Sequence, residues 1–243
     1  MQDQELQKQL QELQAAGFIE PATSEYGSGL LFVPKANGKL RLCVDYRPLN
    51  AITVVDQYPL PRIEELIDQV GSTAKFFSKL DLHSGFHQIR LKSEDVHKTA
   101  FKTKYGTFQY RVMPFGLCNA PATFQRTMDL VFGSLRQFVG VYMDDVLVFS
   151  NTLDDHLDHL RIVYQRLSEE QLYANPEKCT FAQPEVANCG IIVGSKRVRA
   201  HPEKLAIIQA WPQPREPVDV PSFLGLCGFY QRLFLATLKP RLP

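Results

Sequence analysis

Apolar and polar residues alternate along this chain with two periods, and the chain switches between them often. Residues 2–16 place Leu6, Leu10 and Leu13 on one helical face, with Gly17 as the stop. "GLLFVPK" and "KLRLCVDYR" read as strands joined by the turn "ANG", a hairpin with basic residues near its tip. "YPLPRIEELIDQV" predicts a short helix after a Pro-marked entry, and "AKFFSKLDL" a strand ending near Asp81. "HSGF" is then a turn, "HQIRL" a strand, and "SEDVHKTA" a short helix capped by Ser93. "FKT" and "TFQYRVM" flank "KYG" as a second hairpin. Asn119 is the expected cap of a helix running to about Phe132, with Pro121 in its first turn. "QFVGVY" and "VLVFS" are strands on either side of "MDD". A helix from about Thr152 to Tyr173 follows, with Leu153, Leu157, Leu160, Val163 and Leu167 at 3-and-4 spacing. "CTFAQPEV" and "NCGIIV" predict a further hairpin. Two helices enter at Pro202 and near Pro221, around a Pro-rich connector that Trp211 anchors by packing. The pattern is α+β with antiparallel hairpins, not a βαβ alternation. No G-x-G-x-x-G and no Walker loop occurs.

Composition narrows the class. With 243 residues, 44% of them hydrophobic, the chain can bury a sizeable core and is no disordered tail. No window approaches the ~20 continuous apolar residues of a membrane span. The polar start "MQDQELQKQLQELQ" lacks an apolar signal core. Five cysteines, an odd number without close pairs, argue against a disulfide framework and for an intracellular setting. The net charge of +1 conceals a division. Lys98 to Arg111 holds four basic residues and no acid, whereas 151–177 holds six acids against Arg161 and Arg166. Such patches permit a polyanionic partner, but on charge alone solvated faces are the favoured reading.

The acids at strand ends carry more. In "VYMDDVLVFS", Asp144 and Asp145 sit at the turn between two apolar strands, and Asp81 ends a third. An Asp-Asp pair alone is ordinary turn chemistry. Placed side by side, the three carboxylates would repel and raise one another's pKa, a conflict that a divalent cation removes. A few hard oxygen ligands suit Mg²⁺, and two such ions ~4 Å apart can activate a hydroxyl and stabilise a leaving pyrophosphate. His156 and His159, at i, i+3, could bind a metal but are expected on a solvated helix face; His83 and His87 are expected in local packing.

"YMDD", together with "LLFVPKANGKLRLCVDYRPLN", "YPLPRIEEL", "FFSKLDLHSGFHQIRL", "KTAFKTKYGTFQYRVMPFGLCNAPATFQRTMDLVF" and "LYANPEKCTF", resembles the reverse transcriptases of gypsy-class long-terminal-repeat retrotransposons, relatives of retroviral polymerases. The likeness runs from about Gly17 to Phe234, six blocks in the family's order. It implies a right-hand fold. Fingers come from about 1–56 and 89–119, palm from about 57–88 and 120–198, and the start of a thumb, cut short, from 199–243. It implies two Mg²⁺ ions, with Mn²⁺ as a substitute, on Asp81, Asp144, Asp145 and the backbone carbonyl of Leu82. Arg41 matches the arginine that pairs with the incoming dNTP. Lys35 is its companion, unless Lys39 serves instead. Phe86 sits at the steric-gate position, Phe115 near the nucleotide, and Met143 against its sugar and the primer end. Tyr142, Arg47, Gly116 and, in the primer grip, Gly190 match contacts to an RNA or DNA template and its primer. The grip departs from the family here, reading "NCGII" where relatives usually have Leu-Gly-His. Full-length relatives continue into a ribonuclease H domain within a polyprotein that also holds a protease and an integrase. The setting implied is a cytoplasmic particle or the nucleus, with no membrane partner.

Two rival readings follow from the same residues. A retroelement remnant would bind nucleic acid without extending a primer. A stand-alone phosphohydrolase would use the same carboxylates but lacks a placed general base.

Overall fold

The structure is a computed structural model that describes residues 2–34, 38, 40–71, 73–195 and 198–237. In chain order its elements are α1 (Gln2–Ala15), β1 (Ile19–Pro21), β2 (Gly29–Pro34), β3 (Leu40–Asp45), α2 (Arg47–Ile52), α3 (Ile63–Val70), β4 (Phe76–Asp81), β5 (Phe101–Thr103), β6 (Gly106–Tyr110), α4 (Ala120–Phe132), β7 (Val139–Tyr142), β8 (Asp145–Ser150), α5 (Leu153–Glu169), β9 (Thr180–Gln183), β10 (Glu185–Asn188), β11 (Ile191–Gly194), β12 (Val198–Ala200), α6 (Pro202–Gln209) and α7 (Asp219–Thr237). Two compact units result, one of residues 1–60, 82–131 and 168–173, the other of 61–81, 132–167 and 174–243. Among the described residues no helix is long and apolar enough to cross a membrane.

In the first unit, β6 pairs antiparallel with β1 and β5, and β2 with β3. The buried face of α1, Leu6 and Leu10, packs with Ile19, Phe101, Phe108 and Tyr110. The helix stops where expected: the Gly17 and Phe18 amides donate back to the Gln14 and Leu13 carbonyls. Gln9 of α1 clasps β3, donating to the Leu40 carbonyl at 2.8 Å and accepting from the Leu42 amide at 3.0 Å.

In the second unit, four antiparallel strands run in the order β7-β8-β4-β9, and β11 pairs with β10 and β12 in a separate sheet. One core gathers Leu66 and Val70 of α3, Phe77 of β4, Leu147 and Phe149 of β8, and Val186, Ile191 and Val193 of β10 and β11. Helix α3 reaches β7 because Gly140 presents no side chain. A Cβ there would stand 2.1 Å from Leu66 Cδ1. Gln69 of the same helix donates to the Val139 carbonyl at 2.8 Å and also to that of Arg136, so the backbone of edge strand β7 is partly satisfied by a side chain.

Several expectations are corrected. "HQIRL" is no strand: Gly85–Gln88 form a 3-10 turn, and only an isolated bridge, Arg90 to Val112, follows. "SEDVHKTA" yields a 3-10 turn at Val96–Thr99 rather than a helix capped by Ser93. Asn119 does not cap α4 with its side chain. Its amide instead accepts from the Asp56 amide and donates to the Val54 carbonyl, tying down the preceding segment. The leucine stripe of α5 is only half correct: Leu157 is 52% exposed, while His156, Val163 and Leu167 are buried. The buried face runs His156, His159, Leu160, Val163, Leu167, so a polar residue occupies a core position that an apolar template passes over. The final hairpin is formed by β10 and β11, with β9 instead pairing to β4.

Candidate active site

β4 and β8 are antiparallel neighbours whose register pairs Asp81 with Asp145, and β8 is joined to β7 by a two-residue turn, Met143–Asp144, closed by the pair Tyr142 to Asp145. The three aspartates are thus brought together within the second unit, as the strand-end argument requires. Like charges directly opposed on a ladder destabilise a sheet, so this arrangement is not one that stability favours. The turn carries its own cost, since Met143 stands at φ +51°, left-handed backbone that a side-chain-bearing residue seldom adopts.

Lysines answer part of the negative charge. Lys79 shares the Asp81 face of β4, and its Nζ lies 3.0 Å from Asp145 Oδ1. Lys178, more exposed, places its Nζ 3.5 Å from Asp81 Oδ1. Asp144 is answered least. Its Oδ1 is buried with no hydrogen-bond partner. Burial first, then the charges of Asp145 and Asp81, push its carboxyl above the ordinary carboxylate range, with Lys178 opposing. An orphaned, buried oxygen on a half-buried carboxylate beside two further carboxylates fits a hard divalent cation. Among the described residues no group of three His, Cys, Asp or Glu side chains forms a ready cage.

The turn of β10 and β11 reaches this cluster. Asn188 pairs with Ile191, so Cys189 and Gly190 form a two-residue turn, and both have positive φ, +50° and +78°. A turn of this kind needs glycine at one position at least, which accounts for Gly190. Cys189 Sγ lies 3.5 Å from Asp145 Oδ2. Burial, with the charge of Asp145, pushes the Cys189 thiol far above its usual range. The Tyr230 hydroxyl of α7 donates to the Gly190 carbonyl at 3.3 Å.

The other predicted residues lie in the first unit, described by itself. Leu82 is buried. Phe86 is in ring contact with Phe115 at 5.1 Å and Phe124 at 5.3 Å, and Phe115 is 45% exposed. Arg41 projects from β3 as an exposed side chain between the two backbone groups held by Gln9. Arg47 is engaged by Asp45 in a two-pronged pair, at 2.8 and 2.7 Å, which holds the Asp45 carboxyl down at about 2. The Gly116 carbonyl accepts from Asn50 Nδ2 at 2.8 Å. Lys35 and Lys39 lie outside the described residues. A cavity of about 860 Å³, lined in part by Phe18, His87, Arg90 and Arg111, contains none of these residues.

The sequence pattern did not single out Lys79, Lys178 or Gln9, and it expected the histidines of α5 on a solvated helix face. The period-2 rule signalled Lys79, two residues before Asp81 on one strand face. The solvated-face expectation for the histidines is corrected: His156 is fully buried, and His159 stacks on Phe138 at 3.8 Å.

Comparison with known proteins gives the family and the fold. The reverse transcriptase (RNA-dependent DNA polymerase) family pattern matches residues 33–193. The chain is 39% identical over 234 residues to the retrovirus-related Pol polyprotein from transposon 297 of Drosophila melanogaster, covering 94% of this chain and 22% of the relative. It is 40% identical over 237 residues to that from transposon opus of the same species, covering 94% and 23%. The chain thus spans less than a quarter of the length of these relatives. Among solved structures, a foamy viral protease-reverse transcriptase in complex with double-stranded DNA superposes with a TM-score of 0.82 at 23% identity, over 96% of this chain and 43% of that one. A second, in complex with an RNA/DNA hybrid, gives 0.80 at 22%, over 97% and 33%. The fold is therefore that of the right-hand polymerases, with antiparallel sheets. With Asp81 and the Asp144–Asp145 turn paired on its central strands, the chain belongs to the reverse transcriptase (RNA-dependent DNA polymerase) family and is similar to the Pol polyproteins of retrovirus-related transposons.

Proposed function

We propose that this chain is the core of an RNA-directed DNA polymerase that extends a primer annealed to an RNA or DNA template, in the replication of a retroelement. The primer 3′-hydroxyl attacks the α-phosphorus of a dNTP, a new P–O bond forms, and pyrophosphate leaves. The observation that supports this best is the ladder pairing of Asp81 with Asp145 beside the orphaned oxygen of Asp144. Asp81, Asp144, Asp145 and the Leu82 carbonyl would hold Mg²⁺, or Mn²⁺ in its place, and the bound cations would activate the attacking hydroxyl and neutralise charge on the leaving group. The protein's own part is positioning and fixed charge.

Arg41, with Lys35 or Lys39, takes the triphosphate, since a guanidinium fork matches phosphate oxygens. Phe86, braced by Phe115 and Phe124, blocks a ribose 2′-hydroxyl. Phe115 and Met143 pack on the nucleotide. Tyr142, Gly116, Arg47 and the Gly190 turn meet template and primer. Residues 1–56 and 89–119 act as fingers, 57–88 and 120–198 as palm, and 199–243 as the start of a thumb. The relatives bear the name polyprotein, and this segment would act joined to ribonuclease H, protease and integrase domains.

Primer extension on RNA and on DNA templates, with Mg²⁺ or Mn²⁺, tests the proposal. Template-directed extension is expected. Duplex binding without extension would make the chain a remnant, and dNTP hydrolysis without extension a phosphohydrolase. Either result overturns the reading.

A further inference from the structure

A polar cluster lies buried behind the two strands that carry the aspartates, and the proposed reaction makes no use of it. His156 of α5 is fully buried, as is Ser78 of β4, and Ser150 of β8 is nearly so. His156 Nε2 lies 2.7 Å from Ser78 Oγ and its Nδ1 2.8 Å from Ser150 Oγ. Ser150 Oγ is also 2.8 Å from His159 Nδ1, and the Ala182 amide of β9 donates to Ser78 Oγ at 2.9 Å. One imidazole therefore bridges β4 to β8, and its serine partner extends the link to β9.

Proton counting defines the state of that ring. A neutral imidazole has one N–H and one acceptor nitrogen, and a hydroxyl has one proton. A single arrangement gives every donor in the chain an acceptor. The Ala182 amide donates to Ser78 Oγ, and the Ser78 hydroxyl to His156 Nε2. His156 Nδ1–H donates to Ser150 Oγ, and the Ser150 hydroxyl to His159 Nδ1. A second proton on His156 would turn Nε2 into a donor and leave the Ser78 hydroxyl without its acceptor. Among the described residues, the faces of β4, β8 and β9 turned to the ring offer the two serines and the Ala182 amide, and His159 of its own helix is the titratable group acting on it. Burial, then His159, accordingly lower the pKa of His156 below the ordinary 6.5.

The cluster grips the ladder that pairs Asp81 with Asp145 away from that pair: Ser78 is three residues before Asp81, and Ser150, five after Asp145, is at the ladder's far end. We propose that His156 is a positioning residue for nucleotidyl transfer, a neutral clamp between β4 and β8 that fixes the alignment of Asp81 against Asp144 and Asp145. This inference rests on the polymerase reading above. Small misplacements of reacting groups cost rate steeply, so the effect should fall on kcat.

The test measures single-nucleotide incorporation by wild type, His156→Phe, His156→Gln and Ser150→Ala, with kcat scaled to the folded fraction. Alongside it, the His156 ring is followed by nitrogen NMR in the wild type. Each variant should lose roughly 10- to 100-fold in kcat, with dNTP KM and duplex affinity within about 3-fold. Leu160→Ala on the same helix, a purely structural change, should leave kcat per folded molecule intact. Ser78→Ala should add little to His156→Phe, as members of one network are not additive. The ring should stay neutral and protonated on Nδ1 at pH 6. An unchanged kcat in folded His156→Phe, equal losses in Leu160→Ala, or a ring half-protonated near pH 6.5 would each overturn the proposal. If His156→Phe does not fold, Ser150→Ala and the NMR titration decide. If the wild type extends no primer, the polymerase reading fails, while the neutral bridge stands or falls on the titration.

Discussion

Gly140→Ala puts one methyl group where β7 meets α3. The new Cβ would lie 2.1 Å from Leu66 Cδ1 and 3.3 Å from Gln69 Oε1. Carbon atoms rest at about 3.5–4.0 Å, so roughly 1.5 Å of movement must be found. Leu66 cannot supply it freely, being 4% exposed and packed in the core with Val70, Phe77, Leu147 and Phe149. The helix is further tied to β7 through Gln69. Overpacking of this kind costs about 1–3 kcal/mol. At roughly 2–4 °C per kcal/mol for a chain of this size, the melting temperature should fall by roughly 2–12 °C. Thermal unfolding followed by circular dichroism, with urea titration as a second measure, reads the change. Because the clash has a single main partner, Gly140→Ala combined with Leu66→Ala should be less destabilising than the two single changes summed. A loss under about 0.5 kcal/mol, or strict additivity with Leu66→Ala, would refute the claim that glycine is what lets the helix cover this edge strand.

Asp144→Asn should stabilise the metal-free protein, measured in EDTA at pH 7, and abolish extension when Mg²⁺ is supplied. The Asp144 pKa is raised in the folded state, so its stabilising contribution belongs to pH below the ordinary 3.8 and is lost as pH rises and the carboxyl ionises. Relieving the repulsion should be worth on the order of 1 kcal/mol in urea unfolding, and equal or lower stability would contradict it. Stability should also decline in acid. His87 is held at about 4 by burial and then the charge of His83, so its neutral form stabilises the fold above pH 6.5, and that contribution is lost as pH falls from 6.5 through about 4. His87→Phe should flatten that slope between pH 6.5 and 4.5, and an identical slope would remove His87 as its source. Phe86→Val should raise ribonucleotide incorporation relative to deoxynucleotide on the order of 10-fold, measured as a ratio of kcat/KM, and an unaltered ratio would end the gate assignment.

Strand ends were legible in the sequence because apolar alternation stops abruptly at Asp81 and at "MDD", and carboxylates seldom lie inside such runs. The pairing of those ends rested on chemistry, the need to place three acids around a cation, and the ladder register agrees with it. Local signals failed where tertiary contacts outweighed them. "HQIRL" alternates as a strand should, yet Gly85–Gln88 coil into a 3-10 turn in which Phe86 meets Phe115 and Phe124. Asn119 has capping chemistry, but its amide is taken by the Val54–Asp56 backbone. His156 reads as polar and hence as solvated, because nothing in α5 reveals that two strands place hydroxyls opposite it. Lys178 lies in a sequence block that places it near no particular partner, and the ion pair with Asp81 emerges only in three dimensions.

The most direct measurement compares Asp81→Asn and Asp144→Asn with the wild type on one primer annealed to an RNA template, reading single-dNTP incorporation and duplex affinity in the same buffer. The wild type should add only the nucleotide complementary to the template. Each variant should lose at least about 10³-fold in rate, the scale of an essential electrostatic group, with duplex affinity within a few-fold. Incorporation that survives either substitution, or a wild type that binds the duplex but adds no nucleotide with Mg²⁺ or Mn²⁺, would contradict the polymerase reading.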